Sequence, residues 1–245
     1  MHSSTIIAAG AIAFSLSFSA LAHAGEGNTI FIRQESPAGS LTGNSLSIDQ
    51  SNANNSTVAG PSIPSLLPYV GLTLDTALQG QPRPALQYGE GNEAAITMTG
   101  NDGVLLLLQN SSPGTASPQF LPAGTAGNEA TGTVAGDSLG AVIQVGTGNT
   151  ANLQLQNAQG LVGQFGTNLT ANLTVGTGAS GQIVQVGNGS EADLEVIAGN
   201  VTLTQTGNGL SYASGPEGAN PGSSAAPIQV FTTNASNITI TQIGF

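Results

Sequence analysis

Short bursts of alternating apolar and polar residues run along this chain, and they return at a fixed interval. Ala151, Leu153 and Leu155 alternate with Asn152 and Gln154; Ala171, Leu173 and Val175 with Asn172 and Thr174; Ala192, Leu194 and Val196 with Asp193 and Glu195. Period two with aliphatics on one side predicts a half-buried strand. Each burst follows another that ends in glutamine: Val142-Ile143-Gln144, Val162-Gly163-Gln164, Ile183-Val184-Gln185 and Val201-Thr202-Leu203-Thr204-Gln205. The Gln shares a face with the residue two places earlier. Between the two bursts lies a Gly/Asn turn, carrying Gly146 and Gly148, Gly166, Gly187 and Gly189, or Gly207 and Gly209. Glycine supplies φ > 0 there without Cβ strain, and Asn is next best. The unit is strand, turn, strand, turn.

A period of about 20 residues predicts an all-β stack of such rungs, not a globular fold around one pocket. Stacking puts Gln144, Gln164, Gln185 and Gln205 in one column at about 4.8 Å spacing, where amide can bond to amide. A buried Gln is costly unless so satisfied. The same register exposes degraded rungs. Gln87, Gly89, Gly91 and Ala94 repeat the phrase, Gln109 follows Leu105 and Leu107, and Gln242 closes Asn237–Gln242, the last strand. Asn28–Gln34 and Asn44–Gln50 are two matching strands near the start. The expected inward set is the Gln column with Ala94, Ala151, Leu153, Ala171, Leu173, Ala192 and Leu194. Pro- and Gly-rich stretches cannot keep a ladder, so insertions are expected near 56–83, 111–127 and 206–233 within a single domain 25–245. A rung of this length fits either a two-sided or a triangular coil. Ile143, Val145, Phe165, Val184 and Val186 lie opposite the glutamines. A strand apolar on both faces needs a cover, either an inserted loop or another copy.

Composition narrows the function. Of 245 residues 35 are glycine and none is cysteine; Arg33 and Arg83 face 13 acids, for a net charge of −11. Such a chain has nothing with which to neutralise phosphates, which argues against nucleic acid, and it lacks a polybasic membrane anchor. Residues 1–24 read as a secretory leader: an apolar run over Ile6–Phe18, then Ala22-His23-Ala24 as a cleavage site. The expectation is a secreted, extracellular, cell-surface protein with no membrane insertion after leader removal.

Candidate chemistry is sparse. His2 and His23 fall in the leader, so the mature chain has no usual nucleophile–base pair and no catalytic residue is expected. Glu90 with Glu93, and Asp193 with Glu195, read as solvated charge. The glycine turns lack the ligand Asp of a calcium β-roll, having Thr147, Asn149, Asn188 and Ser190 instead, so neither metal nor cofactor is expected. Thr202, Thr204 and Thr206, with Thr239 and Thr241, form a Thr array too short for an ice-binding face.

The phrase Gln144-Val-Gly146-Thr-Gly148-Asn149-Thr-Ala151 resembles the curlin repeat, Ser-x5-Gln-x-Gly-x-Gly-Asn-x-Ala-x3-Gln, of bacterial curli subunits. The match is best over Ser138 to Gly209, with a further unit at Gln87–Met98. The chain departs from it where the final Gln becomes Leu155, Val175 and Val196, and where the initial Ser becomes Ala158, Ala179 and Gly199. The resemblance implies a curlin-like β-solenoid, export by curli-type machinery, self-association or association with other curlin-like subunits, and a role as fibre subunit or nucleator of a functional amyloid in the biofilm matrix. The competing expectation is a monomeric extracellular adhesin whose inserted loops bind a surface.

Overall fold

In a computed structural model of the protein, residues 5–8, 25–36, 43–61, 72–78, 83–111, 127–196, 199–212 and 237–244 are described. These residues are nearly all β. They form two parallel sheets, one of ten strands and one of seven. The first sheet holds β1 (Thr5–Ala8), β2 (Thr29–Glu35), β4 (Thr57–Ala59), β5 (Ala85–Tyr88), β7 (Val104–Asn110), β9 (Leu139–Thr147), β11 (Gln159–Thr167), β13 (Ser180–Asn188), β15 (Asn200–Asn208) and β17 (Asn237–Ile243). The second holds β3 (Ser45–Asn54), β6 (Glu93–Asn101), β8 (Glu129–Ala135), β10 (Thr150–Gln156), β12 (Thr170–Ala171), β14 (Glu191–Ala192) and β16 (Ser211–Tyr212). The chain alternates between the sheets, so each rung adds one strand to each, and the coil is two-sided.

Register follows the repeat. Gln144 stands beside Gln164, Gln164 beside Gln185 and Gln185 beside Gln205, within runs of paired positions that keep step from end to end. The side-chain period is two, so one slip would turn every Gln outward. The main core lies between the sheets. Leu107, Val142, Val162, Ile183 and Leu203 face Leu153, Leu155, Leu173 and Leu194 there, all at most 1% exposed. In the later rungs the second strand ends at Ala171 and at Ala192, yet burial still alternates through Leu173 and Val175 and through Leu194 and Val196.

Two insertion starts and one strand assignment differ from those expected. Thr57–Ala59 is a strand, so the excursion placed at 56–83 begins only after Ala59 and ends before Ala85. Thr206–Asn208 completes β15 and Ser211–Tyr212 pairs with β14, so the third insertion starts later than 206. Asn237–Ile243 then pairs with β15, which makes it a first strand of a new rung. Local composition could not reveal these limits, because register with a distant strand decides them. The leader's cleavage region, and residues 62–71, 79–82, 112–126 and 213–236 of the insertions, lie outside the described residues. Thr5–Ala8, within the expected leader, pairs in parallel on Thr29–Ile32.

The apolar outer face of the first sheet is covered by the first insertion. Leu72 and α1 (Leu74–Leu78) pack on Leu106, Ile143, Leu161, Phe165 and Val184 in a second core.

Candidate functional site: buried amide columns and strand edges

The Gln column is a continuous chain of hydrogen bonds. Nε2 of Gln34 donates to Oε1 of Gln87 at 2.5 Å, and Gln87 to Gln109 at 2.7 Å. Gln109 donates to Gln144 and Gln144 to Gln164, both at 2.9 Å. Gln164 donates to Gln185 at 3.0 Å, Gln185 to Gln205 at 2.9 Å and Gln205 to Gln242 at 2.7 Å. Every bond points the same way, from the N-terminal rung (the head) toward the C-terminal rung (the tail). Gln109, Gln144, Gln164, Gln185 and Gln205 are wholly buried.

The second amide hydrogen of each Gln crosses the interior to the opposite sheet or the turn that leads into it. Gln87 donates to Ser45 O at 2.9 Å, Gln144 to Glu129 O at 2.8 Å, Gln164 to Thr150 O at 3.0 Å and Gln185 to Thr170 O at 3.0 Å. One side chain thus fixes both the spacing of rungs and the spacing of sheets. Among the described residues no buried side-chain polar atom lacks a partner.

A second column runs alongside at the turn, with the opposite sense. Asn92 Nδ2 donates to Asn44 Oδ1 at 3.0 Å, Asn128 to Asn92 at 3.1 Å and Asn149 to Asn128 at 3.0 Å, all toward the head. Each Oδ1 also accepts the backbone N–H of the next rung, as when Leu169 N–H reaches Asn149 Oδ1 at 3.1 Å. The column ends there because Leu169 carries no amide. Further on Ser190 Oγ takes the same part, accepting the Leu210 N–H at 3.2 Å.

The turn glycines divide into two kinds. A Cβ on Gly146 would lie 1.8 Å from Gly166 O, one on Gly166 1.7 Å from Gly187 O, and one on Gly187 1.8 Å from Gly207 O. The first glycine is therefore required by the next rung's backbone. The second is required only by its own φ, as at Gly189 (φ 64), where a Cβ would meet nothing. Asn168 holds that second place at φ 54, since Asn tolerates the left-handed region. Gly89 and Gly91 repeat the pair, at φ 105 and 64. Gly148 and Gly209 stand at φ 67 and 63.

The inward set Ala94, Ala151, Leu153, Ala171, Leu173, Ala192 and Leu194 is buried, at most 3% exposed. Sequence reasoning left Gln34, Asn44 and Asn128 out of the columns. Gln34 had a signal in Ile30-x-Ile32-x-Gln34, and Asn128 in its place two residues before Ala130. The amide column expected to be aliphatic, at Leu155, Val175 and Val196, keeps one Gln at the head. Gln50 is buried there, donating to Ser56 O at 3.4 Å and to Met98 Sδ at 3.3 Å.

Charge sits on the outer faces, but Asp193, expected to be solvated, is half-buried. Glu93 and Glu129 are neighbours in register on the outer side of the second sheet. Burial, with Glu195 adding repulsion, pushes the Asp193 carboxyl above its ordinary value. The Asp49 carboxyl is held below its ordinary value by hydrogen bonds from the Ser51 side chain and backbone. Among the described residues no group of His, Cys, Asp or Glu could hold a metal ion, and no helix is long and apolar enough to cross a membrane.

Two strand edges bound the stack. At the head the first sheet ends in β1, paired on β2, whose inward positions are Ile30, Ile32 and Gln34; at the tail it ends in β17, with Ile238, Ile240 and Gln242. Ile30, Ile32 and Ile238 are only half-buried. No protein-family model, curated protein or solved structure matches this chain.

Proposed function

We propose that this chain is a curlin-like β-solenoid, exported and structural, that assembles head to tail as a subunit or nucleator of an extracellular fibre. The observation that carries the reading is the one-way Gln column with the same Ile-x-Ile-x-Gln at both ends. The interior strands use other aliphatics at those inward places, such as Leu105 and Leu107, or Val201 and Leu203.

Polarity then selects the junction. When β17 of one copy pairs with β2 of the next, Gln242 Nε2 faces Gln34 Oε1 and the column continues in its own sense. Head against head would oppose two carbonyl oxygens, and tail against tail two amide donors. The same junction stacks Ile238 on Ile30 and Ile240 on Ile32. An open parallel edge is a template for such pairing. The head edge takes a parallel strand within this chain, at Thr5–Ala8, and removal of the expected leader would open it. The junction pairs the first sheet and leaves a single-strand space in the second, between β16 of one copy and β3 of the next.

Fibre diffraction of the mature chain tests the reading, with cross-seeding by a curlin subunit as a second arm. The expected result is a meridional reflection near 4.8 Å and growth from added fibre ends. A chain that stays monomeric at high concentration would overturn it in favour of a monomeric adhesin.

A further inference from the structure

The outer face of the first sheet is apolar where the first insertion lies on it. Ala141, Ile143 and Val145 point outward in one rung, Leu161 and Phe165 in the next, and Val184 and Val186 in the next. In the next rung the same places turn to Thr202, Thr204 and Thr206, and in the last to Thr239, Thr241 and the exposed Ile243. Alternation alone does not require that change; a cover that extends over only part of the face is consistent with it.

The insertion is spliced into a strand without disturbing it. Ala59 stands beside Leu106, and Leu86 beside Leu108, so Ala59 and Ala85 fill successive places in one strand. The Gly60 N–H donates to Arg83 O at 2.7 Å and closes the neck. Beyond that neck the next described residues, Leu72–Leu78, lie on later rungs. Leu72 enters a notch over Gly163, where a Cβ would lie 2.9 Å from Leu72 Cδ2, and Leu72 O accepts from Gln182 Nε2 at 2.5 Å. Its helix presents exposed Asp75 on the side away from Ala77, which is buried in the apolar cluster.

We propose that the first insertion is a lateral guard, its residues Leu72–Leu78 occupying in cis the apolar face on which a second copy of this chain otherwise packs sheet to sheet. Parallel sheets are stable when covered on both faces, and stacked strands with alternating aliphatics form dry interfaces between paired sheets. The occupant is a second copy because the face repeats from rung to rung, presents parallel in-register strands and carries no charged side chain through β7, β9, β11 and β13. The net charge of −11 opposes approach of two copies elsewhere. The guard replaces that uncharged face with one bearing Asp75. In a fibre it keeps growth to single-solenoid width; this setting rests on the function proposed above, whereas the face and its cover do not.

Deleting 60–84 from the mature chain, with Ala59 joined to Ala85, tests the proposal. The strand remains continuous and in register. The expected result is an unchanged β signature by circular dichroism, fibres of about doubled width by electron microscopy, and dimers below the fibre-forming concentration. Peptide 60–84 added in trans should return both to the parent state. Unchanged width together with a monomeric variant overturns the proposal, as do amorphous aggregates that the peptide does not reverse. Leu72→Asp and Gly163→Leu, in the full-length mature chain, loosen the guard without shortening it and should each raise lateral pairing several-fold. Loss of folding in all three variants also overturns the proposal, because the segment would then be part of the indispensable core. Failure of the parent chain to form fibres sinks the head-to-tail reading alone, since the monomer-to-dimer change still reports on the guard.

Discussion

Gln144 donates to Gln164 at 2.9 Å toward the tail, whereas Asn149, five residues on, donates to Asn128 at 3.0 Å toward the head. The two buried amide columns therefore run antiparallel, one at the end of the first strand and one at the start of the second. Their dipoles oppose over the rungs they share, from Gln87 to Gln144, and each fixes the register of its own sheet.

Replacing Gln164 separates loss of a partner from burial of a charge. Gln164→Leu leaves Gln185 Oε1 short of a donor and should cost about 1–3 kcal/mol. Gln164→Glu sets a carboxylate against that same oxygen in a dry column and should cost about 3–5 kcal/mol. Urea unfolding of the mature chain before assembly reads both; equal costs would place Gln164 in solvent.

The glycine turn should respond unequally at its two positions. Gly187→Ala drives a Cβ onto Gly207 O and should destabilise by roughly 3 kcal/mol or more. Gly189→Asn needs only a left-handed φ and should cost less than about 1 kcal/mol. Matching shifts in melting temperature would show that φ alone governs the turn.

Asp193 gives a pH signature. Its folded-state value is raised by burial and by Glu195, so the folded form binds the proton more tightly than the unfolded form. Stability then falls as pH rises from the unfolded value through the raised one, and the deficit is fully present above it. Asp193→Asn should raise the melting temperature at pH 7, with a gain that disappears once both forms are protonated. A gain of the same size in strong acid would contradict the assignment.

Charge at either end should block growth without unfolding the chain. Ile240→Lys spoils the tail but leaves the head intact, so small amounts should bind growing fibre tails and stop them. Ile32→Lys should act in mirror fashion on heads. Elongation followed on surface-tethered seeds reads both, and unaltered growth with either variant would remove β2 and β17 from the junction.

Much of this was legible in the residues, and particular positions show why. Gln144, Gln164, Gln185 and Gln205 recur at one spacing between glycines, and a period-two pattern has only one inward face, so repeat and alternation together specify strand, turn and column. Gln34 was missed because no Gly-x-Gly follows it, and Asn128 because residues 112–126 separate its Gly127 from the strand that ends at Gln109. The limit of the first insertion was misplaced because Ser56–Ala59 reads as a polar, small-residue loop until Val104–Leu106 lies beside it.

The sequence by itself determined the rung: which residues face inward, where the chain turns, and that unsatisfied Gln must meet Gln. Those are local consequences of alternation, backbone sterics and the cost of a buried amide. Tertiary structure alone decided that the coil has two sides, that the amide columns oppose each other, and that Leu72 covers Gly163. Each of these depends on residues far apart in the chain meeting in space, Gln182 and Leu72 among them, and no local pattern encodes which of two apolar faces a distant segment will bury.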